Sequence, residues 1–224
     1  MKGLFVTGTD TGVGKTRVAV ALIHALRARG LRVAAMKPVA AGHVPGELNE
    51  DVTALLQAAN VAAAIRDVNP YAFEPAIAPH IASQQAGLRI ELDVIAEAYA
   101  RLAAAADVVV VEGAGGWRVP LNEDVDMADL AQRLRLPVVL VVGLRLGCLN
   151  HAMLSAESIA HRQVPWAGWV GNHIDPAMPF QAENVAALQA RLPVPCLGVQ
   201  AFQSAGFSVE PTPQWLTLPG ELDN

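Results

Sequence analysis

The sequence predicts an α/β fold: a mostly parallel sheet flanked by helices on both faces. Three observations carry this. Short apolar, β-branched runs recur as continuous stretches rather than alternating ones, as strands covered on both faces require. Segments with apolar residues spaced at three and four lie between them, so strand and helix alternate along the chain. The first strand-to-helix junction carries GTDTGVGKT at residues 8–16, a glycine-rich loop ending in Lys-Thr, which makes the expected domain one of the P-loop NTPase type.

Taken in order, the first strand reads at residues 4–6 and runs into that loop. The helix after it shows Val18, Ala19, Leu22, Ile23 and Leu26 on one stripe and stops at Gly30. Further strands read at 33–36, 108–111, 138–142, 169–170 and 197–199, and helical stripes at 52–58, 92–103, 153–159 and 185–192. Residues 69–87 contain Pro70, Pro75 and Pro79, have no clean period, and read as an excursion between helices. Beyond Gln203 periodicity is lost, so about 204–224 reads as an irregular tail. No internal repeat is present, and one domain spanning 1–224 is expected.

Composition narrows the function. A chain of 224 residues can bury roughly 70–75% of its unfolded surface without disulfides. With 53% hydrophobic and 17% charged residues, much of it must be covered on several sides. A net charge of −5 argues against nucleic-acid and anionic-membrane partners. Cys148 and Cys196 are too few for a disulfide framework. No run approaches the ~18 apolar residues of a membrane span, and the first residues do not read as a signal peptide. A cytoplasmic location is expected.

The loop has a chemical purpose. Glycines let the backbone curl and turn successive N–H groups toward an anion, and the following helix adds its free amides and positive dipole end. Lys15 supplies a charge to polyphosphate, and the Thr16 hydroxyl can ligate Mg²⁺. The strict spacing would place the first glycine at position 9, where this chain has Thr; Gly8 stands one residue earlier.

Other candidates sit at strand ends, where ligands gather in this architecture. Glu112 ends the run VVVVE and precedes Gly113, Ala114, Gly115 and Gly116, so it can complete a Mg²⁺ shell or be a solvated strand-end acid. Asp51 can be a second carboxylate or a helix N-terminal acid. Lys37, after the second strand, can neutralise a transferring phosphoryl group or be a surface lysine.

Together these stretches resemble the dethiobiotin synthetase family. The resemblance rests on GTDTGVGKT (8–16), KPVAAG (37–42), NPYAF (69–73), APHIA (78–82), VEGAGGW (111–117), PVVLVVGLRLGCLNHAML (137–154) and AGWVGN (167–172). They cover the chain from residue 3 to about 203; VEGAGGW and GLRLGCLNH are far more specific than a bare phosphate loop.

The resemblance implies an ATP- and Mg²⁺-dependent ring closure that makes the ureido group of dethiobiotin from 7,8-diaminononanoate and CO₂. It implies that Gly12, Val13, Gly14, Lys15, Thr16 and Arg17 hold the phosphates, and that Thr16, Asp51 and Glu112 bind Mg²⁺. Lys37 becomes the catalytic cation, with Lys15 and Thr11 near the same oxygens. Glu112, Gly113, Ala114 and Gly115 line the nucleotide on its other side. Asn172 meets the adenine edge, flanked by His173 and by Ala201, Phe202 and Gln203. Ala41 stands in the substrate site. Leu146, Gly147, Cys148 and Asn150 resemble the segment that closes the diamine site from the neighbouring subunit, which implies a homodimer. Three positions depart from the family pattern: Ala41 replaces a hydroxyl residue, His173 an acidic one, and 201–203 lack a proline. They bear on substrate affinity and nucleotide preference.

Other residues have plain readings: His24, His151 and His161 as helix residues, Cys148 as a small buried apolar residue, and Trp117, Trp166 and Trp169 as core or interface anchors. Two alternatives to the enzyme are a partition- or positioning-type switch ATPase and a non-catalytic nucleotide-binding paralogue. The switch class carries an extra lysine early in the loop, where this chain has Thr9-Asp10. An amidotransferase-linked ligase of cobalamin synthesis is disfavoured by length.

Overall fold

The computed structural model describes residues 3–203 and 213–220. Its strands are β1 (Gly3–Gly8), β2 (Val33–Met36), β3 (Val39–Ala41), β4 (Tyr71–Phe73), β5 (Val108–Glu112), β6 (Val138–Leu144), β7 (Trp166–His173) and β8 (Cys196–Gln200). Its helices are α1 (Lys15–Ala28), α2 (Glu50–Ala58), α3 (Ile65–Val68), α4 (Pro79–Gln85), α5 (Leu92–Ala105), α6 (Met127–Leu134), α7 (Cys148–His161) and α8 (Gln181–Arg191). Six strands form one sheet in the order β2-β5-β1-β6-β7-β8, every pair parallel.

The continuous apolar runs are explained by two cores, one on each face. Leu4, Val6, Val110 and Val141 pack under α1 through Val18, Leu22 and Leu26. Phe5, Val109 and Leu140 face the other way, toward Ile95 and Leu102 of α5, Leu130 of α6 and Ile159 of α7. A strand with helices on both sides has no polar face, so alternation disappears. The chain leaves β1 first to one side and later, through β6, to the other. This reversal opens a crevice at the carboxyl ends of the strands. The register places Val6 beside Glu112, so β5 ends next to the start of the phosphate loop.

Three features go beyond the sequence reading. Residues 69–87 are not featureless. They hold β4, which pairs in parallel with β3 in a second, two-stranded sheet, and α4, which opens on Pro79. Strands of three residues and a helix of seven are too short to show a period, though a proline at a helix start is a usable signal. Helix α6 was not anticipated either. Its mark in the sequence is Asp126 and Asp129, which form a capping box: Asp126 accepts from the backbone N–H of Asp129 at 3.1 Å, and Asp129 accepts from that of Asp126 at 2.8 Å.

The third concerns the tail. Residues 204–212 and 221–224 lie outside the described residues, but 213–220 pack against the sheet. The Thr217 N–H donates to the Leu197 carbonyl at 2.7 Å, Leu216 forms an antiparallel bridge with Gly198, and Leu216 and Leu218 join the α1-side core. A Cβ on Gly198 would lie 2.0 Å from the Trp215 carbonyl oxygen, so only glycine allows this approach.

Candidate active site

The phosphate loop is held open from both ends. The Thr9 N–H donates to the Val141 carbonyl at 3.0 Å, and the Trp117 N–H to the Gly8 carbonyl at 3.1 Å. At the far end Gly14 caps α1 with φ +89, a left-handed conformation that side chains resist. A Cβ there would also lie 2.1 Å from Nδ2 of Asn172, which donates to the Val13 carbonyl at 2.8 Å. Backbone shape and the approach of β7 therefore both demand glycine at this position.

Lys15 and Thr16 follow as the first residues of α1, and both are buried. The Lys15 ammonium donates to the Asp10 carbonyl at 3.1 Å, folding the side chain over its own loop. Burial, and then the charge of Lys37, lower its pKa to about 8. The Thr16 hydroxyl lies 2.7 Å from Asp51 Oδ1 and 2.9 Å from Glu112 Oε1.

Lys37 meets the same group from the end of β2. Its Nζ lies 2.8 Å from Asp51 Oδ2 and 2.5 Å from Glu112 Oε1. Its backbone is fixed by Asn69, whose Nδ2 donates to the Lys37 carbonyl at 2.7 Å and to that of Tyr71 at 3.0 Å, while the Lys37 N–H donates to the Val68 carbonyl. Asp51 is aimed by a cap: Asn49 accepts from the Asp51 N–H at 3.0 Å and donates to the Gly42 carbonyl at 3.0 Å.

Electrostatics in this cluster are strong because its groups are largely buried. Burial alone would lower the Lys37 pKa, but Glu112 and Asp51 outweigh it and hold the ammonium charged. Burial would raise that of Asp51, yet Lys37 and the Thr16 hydroxyl pull it below the usual carboxylate range. Glu112 is fully buried, and burial together with the Asp51 charge pushes it up despite Lys37. Its second oxygen, Oε2, is buried without a hydrogen-bond partner.

These side chains share a cleft of about 860 Å³ at the carboxyl ends of the strands. Of the residues singled out in the sequence, Thr11, Gly12, Gly14, Lys15, Thr16, Arg17, Lys37, Ala41, Asp51, Glu112, Ala114, Gly115, Asn172, His173, Phe202 and Gln203 line it. Val13 and Gly113 are buried and outside the lining; a Cβ on Gly113 would lie 3.2 Å from Met127 Cγ. Ala201 is exposed and outside the lining. Leu146, Gly147, Cys148 and Asn150 do not line it. They sit at the start of α7, with Leu146 94% exposed and Cys148 buried. Sequence reasoning gave no role to Asn49, Asn69 or the stretch 76–79, which also border or brace the cleft. The Asn-x-Asp helix start at 49–51 was the available signal for the first.

Magnesium prefers few carboxylates and completes its shell with phosphate and water oxygens. Among the described residues no cluster of three or more His, Cys, Asp or Glu side chains exists to hold a metal alone. Thr16, Asp51 and Glu112 offer hard oxygens only, one of them the unpartnered Oε2 of Glu112. That donor set fits Mg²⁺ brought in with a polyphosphate.

A parallel sheet whose first strand feeds a glycine loop into a helix, with Lys-Thr at the helix start, defines the class of P-loop nucleotide-binding folds. Solved structures agree on the fold. The signal recognition particle 54 kDa protein of Aeropyrum pernix in complex with GDP superposes with a TM-score of 0.56 at 17% identity, covering 91% of this chain and 42% of that one. The MinC:MinD cell division complex of Aquifex aeolicus gives 0.55 at 16% identity, with coverage of 89% and 81%. A protein-family model described as AAA domain matches residues 2–200.

Sequence relatives are more specific. The ATP-dependent dethiobiotin synthetase BioD of Nitrosospira multiformis is 54% identical over 198 residues, which is 88% of this chain and 87% of that protein. The protein of the same name from Pseudomonas aeruginosa UCBPP-PA14 is 54% identical, with coverage of 88% and 89%. That of Janthinobacterium sp. is 50% identical, with coverage of 87% and 85%. The chain belongs to the dethiobiotin synthetase family, and is an ATP-dependent ligase of biotin biosynthesis.

Proposed function

We propose that the protein closes the ureido ring of dethiobiotin: 7,8-diaminononanoate, CO₂ and ATP give dethiobiotin, ADP and phosphate. One amine of the diamine takes up CO₂ as a carbamate. A carbamate oxygen attacks the γ-phosphorus and expels ADP. The second amine then attacks the carbonyl carbon of the mixed anhydride, the C–O bond to phosphate breaks, and the ring closes with loss of a proton.

The observation that carries this reading is the meeting of Lys37, Glu112, Asp51 and Thr16 beside Lys15 in one cleft. Transfer between two anions needs positive charge and positioning more than a protein nucleophile. The loop amides from Gly12 to Arg17 and the Lys15 ammonium bind the phosphates. Lys37, kept charged by its two carboxylates, stabilises the carbamate and the mixed anhydride, with Thr11 close to the same oxygens. Thr16, Asp51 and Glu112 would hold Mg²⁺, which would offset phosphate charge there.

Because Lys37 and the acids stand at the β2–β5 side, the nucleoside extends toward β7 and β8. There Asn172 meets the adenine edge, with His173 and residues 201–203 beside it. Ala41 borders the diamine. Leu146, Gly147, Cys148 and Asn150 close the diamine site of a neighbouring subunit in a homodimer. Their place outside their own cleft, with Leu146 almost wholly exposed, supports that assignment. Incubation with the diamine, bicarbonate and Mg-ATP tests the reading. It requires diamine-dependent phosphate release and a cyclic urea of the right mass; ATP hydrolysis indifferent to the diamine favours the switch ATPase instead.

A further inference from the structure

Asp10 puts a carboxylate inside a loop built to receive a polyanion. Left alone it would repel the phosphates that the loop amides and Lys15 attract. The structure gives it a cation from another element. Arg145, the residue directly after β6, places Nη2 2.5 Å from Asp10 Oδ2. The other carboxylate oxygen, Oδ1, accepts from the Thr11 N–H at 2.7 Å, and the Asp10 carbonyl accepts from Lys15 Nζ at 3.1 Å. The Arg145 backbone is fixed in turn, since its carbonyl accepts from the Cys148 N–H at 3.0 Å in the first turn of α7.

We infer that Arg145 is a positioning residue of the nucleotide site. It neutralises the Asp10 carboxylate and holds the first turn of the phosphate loop in the shape that accepts a nucleoside triphosphate. This rests on the reading that the loop binds nucleotide, and it adds a residue outside the lining of the cleft. The pair is about half exposed, with side-chain exposures of 44% and 43%, so by itself it contributes little to folding. Its weight falls on ligand binding, where several phosphate charges act on the one carboxylate.

The two residues predict opposite effects, which makes the test sharp. Affinity for Mg-ADP and for a non-hydrolysable Mg-ATP analogue is measured by calorimetry on the full chain at low and high salt. Arg145→Ala weakens binding roughly three- to tenfold at low ionic strength and less in high salt, where screening shortens the reach of Asp10. Arg145→Lys stays near wild type, because a cation remains. Adding Asp10→Asn to Arg145→Ala restores most of the affinity, since the amide oxygen still accepts from the Thr11 N–H without the charge. In turnover, the larger part of the loss in kcat/KM falls in KM for ATP.

Unchanged affinity in Arg145→Ala, or a double variant no better than the single one, overturns the inference alone. Wild-type protein that binds no nucleotide overturns the functional reading and this inference with it.

Discussion

Replacing Lys37 with methionine separates what that side chain does for folding from what it does for chemistry. Lys37 is the buried cation between Asp51 and Glu112, whose side chains are 33% and 1% exposed. Removing one partner of a buried ion pair costs about 3–5 kcal/mol, because a charge is left stranded. Asp51 can turn toward water and Glu112 cannot, so the lower end applies: a loss of about 3 kcal/mol at neutral pH.

That loss must depend on pH. The Glu112 carboxyl is already raised by burial and by Asp51, and without Lys37 it rises further. A carboxyl with a raised folded pKa favours the folded state fully below its ordinary value. That advantage is lost as pH rises through the folded value. Urea unfolding of Lys37→Met should therefore show a small deficit near pH 5 that grows toward pH 8. Turnover should fall by about 10²–10³, while Mg-nucleotide still binds through Lys15 and the loop amides. A deficit independent of pH would refute the stranded-charge account, and loss of nucleotide binding would refute the division of labour between the two lysines.

Three further outcomes follow from the same geometry. Lys15, lowered to about 8, gives up its proton as pH rises past that value, so nucleotide affinity should weaken above pH 8; calorimetry on Lys15→Arg should lose this decline. Gly14→Ala meets both φ +89 and Asn172, and thermal unfolding should show a loss of about 2 kcal/mol or more with little remaining nucleotide binding. Asn69→Ala removes two hydrogen bonds, one to the Lys37 carbonyl; it should cost about 1–2 kcal/mol in chemical denaturation and lower kcat more than nucleotide affinity.

How much of this was legible in the sequence depended on the length over which each physical cause acts. The six strands of the main sheet showed as continuous apolar runs because a core lies on each face of the sheet. The loop showed because Gly14, Lys15 and Thr16 are consecutive. Glu112 and Lys37 could be placed at the correct rim by their strands alone, but not in contact. Their meeting depends on the order β2-β5-β1, which no local pattern encodes. Asn69 was invisible as a brace, since its partners are backbone carbonyls set by β3 and β4, strands too short to read. The docking of 213–220 escaped for a similar reason: it rests on Gly198 admitting the Trp215 carbonyl, a contact between distant backbones.

In the proposed reaction the cleft passes phosphate to an oxygen that entered as CO₂. The most direct measurement supplies ¹⁸O-labelled CO₂ with the diamine and Mg-ATP in ordinary water, quenches before the label exchanges, and weighs the released phosphate. One labelled oxygen per phosphate is the predicted result, because the carbamate oxygen leaves with the phosphorus it captured. Phosphate carrying no label would mean that water, not the carbamate, received the phosphoryl group.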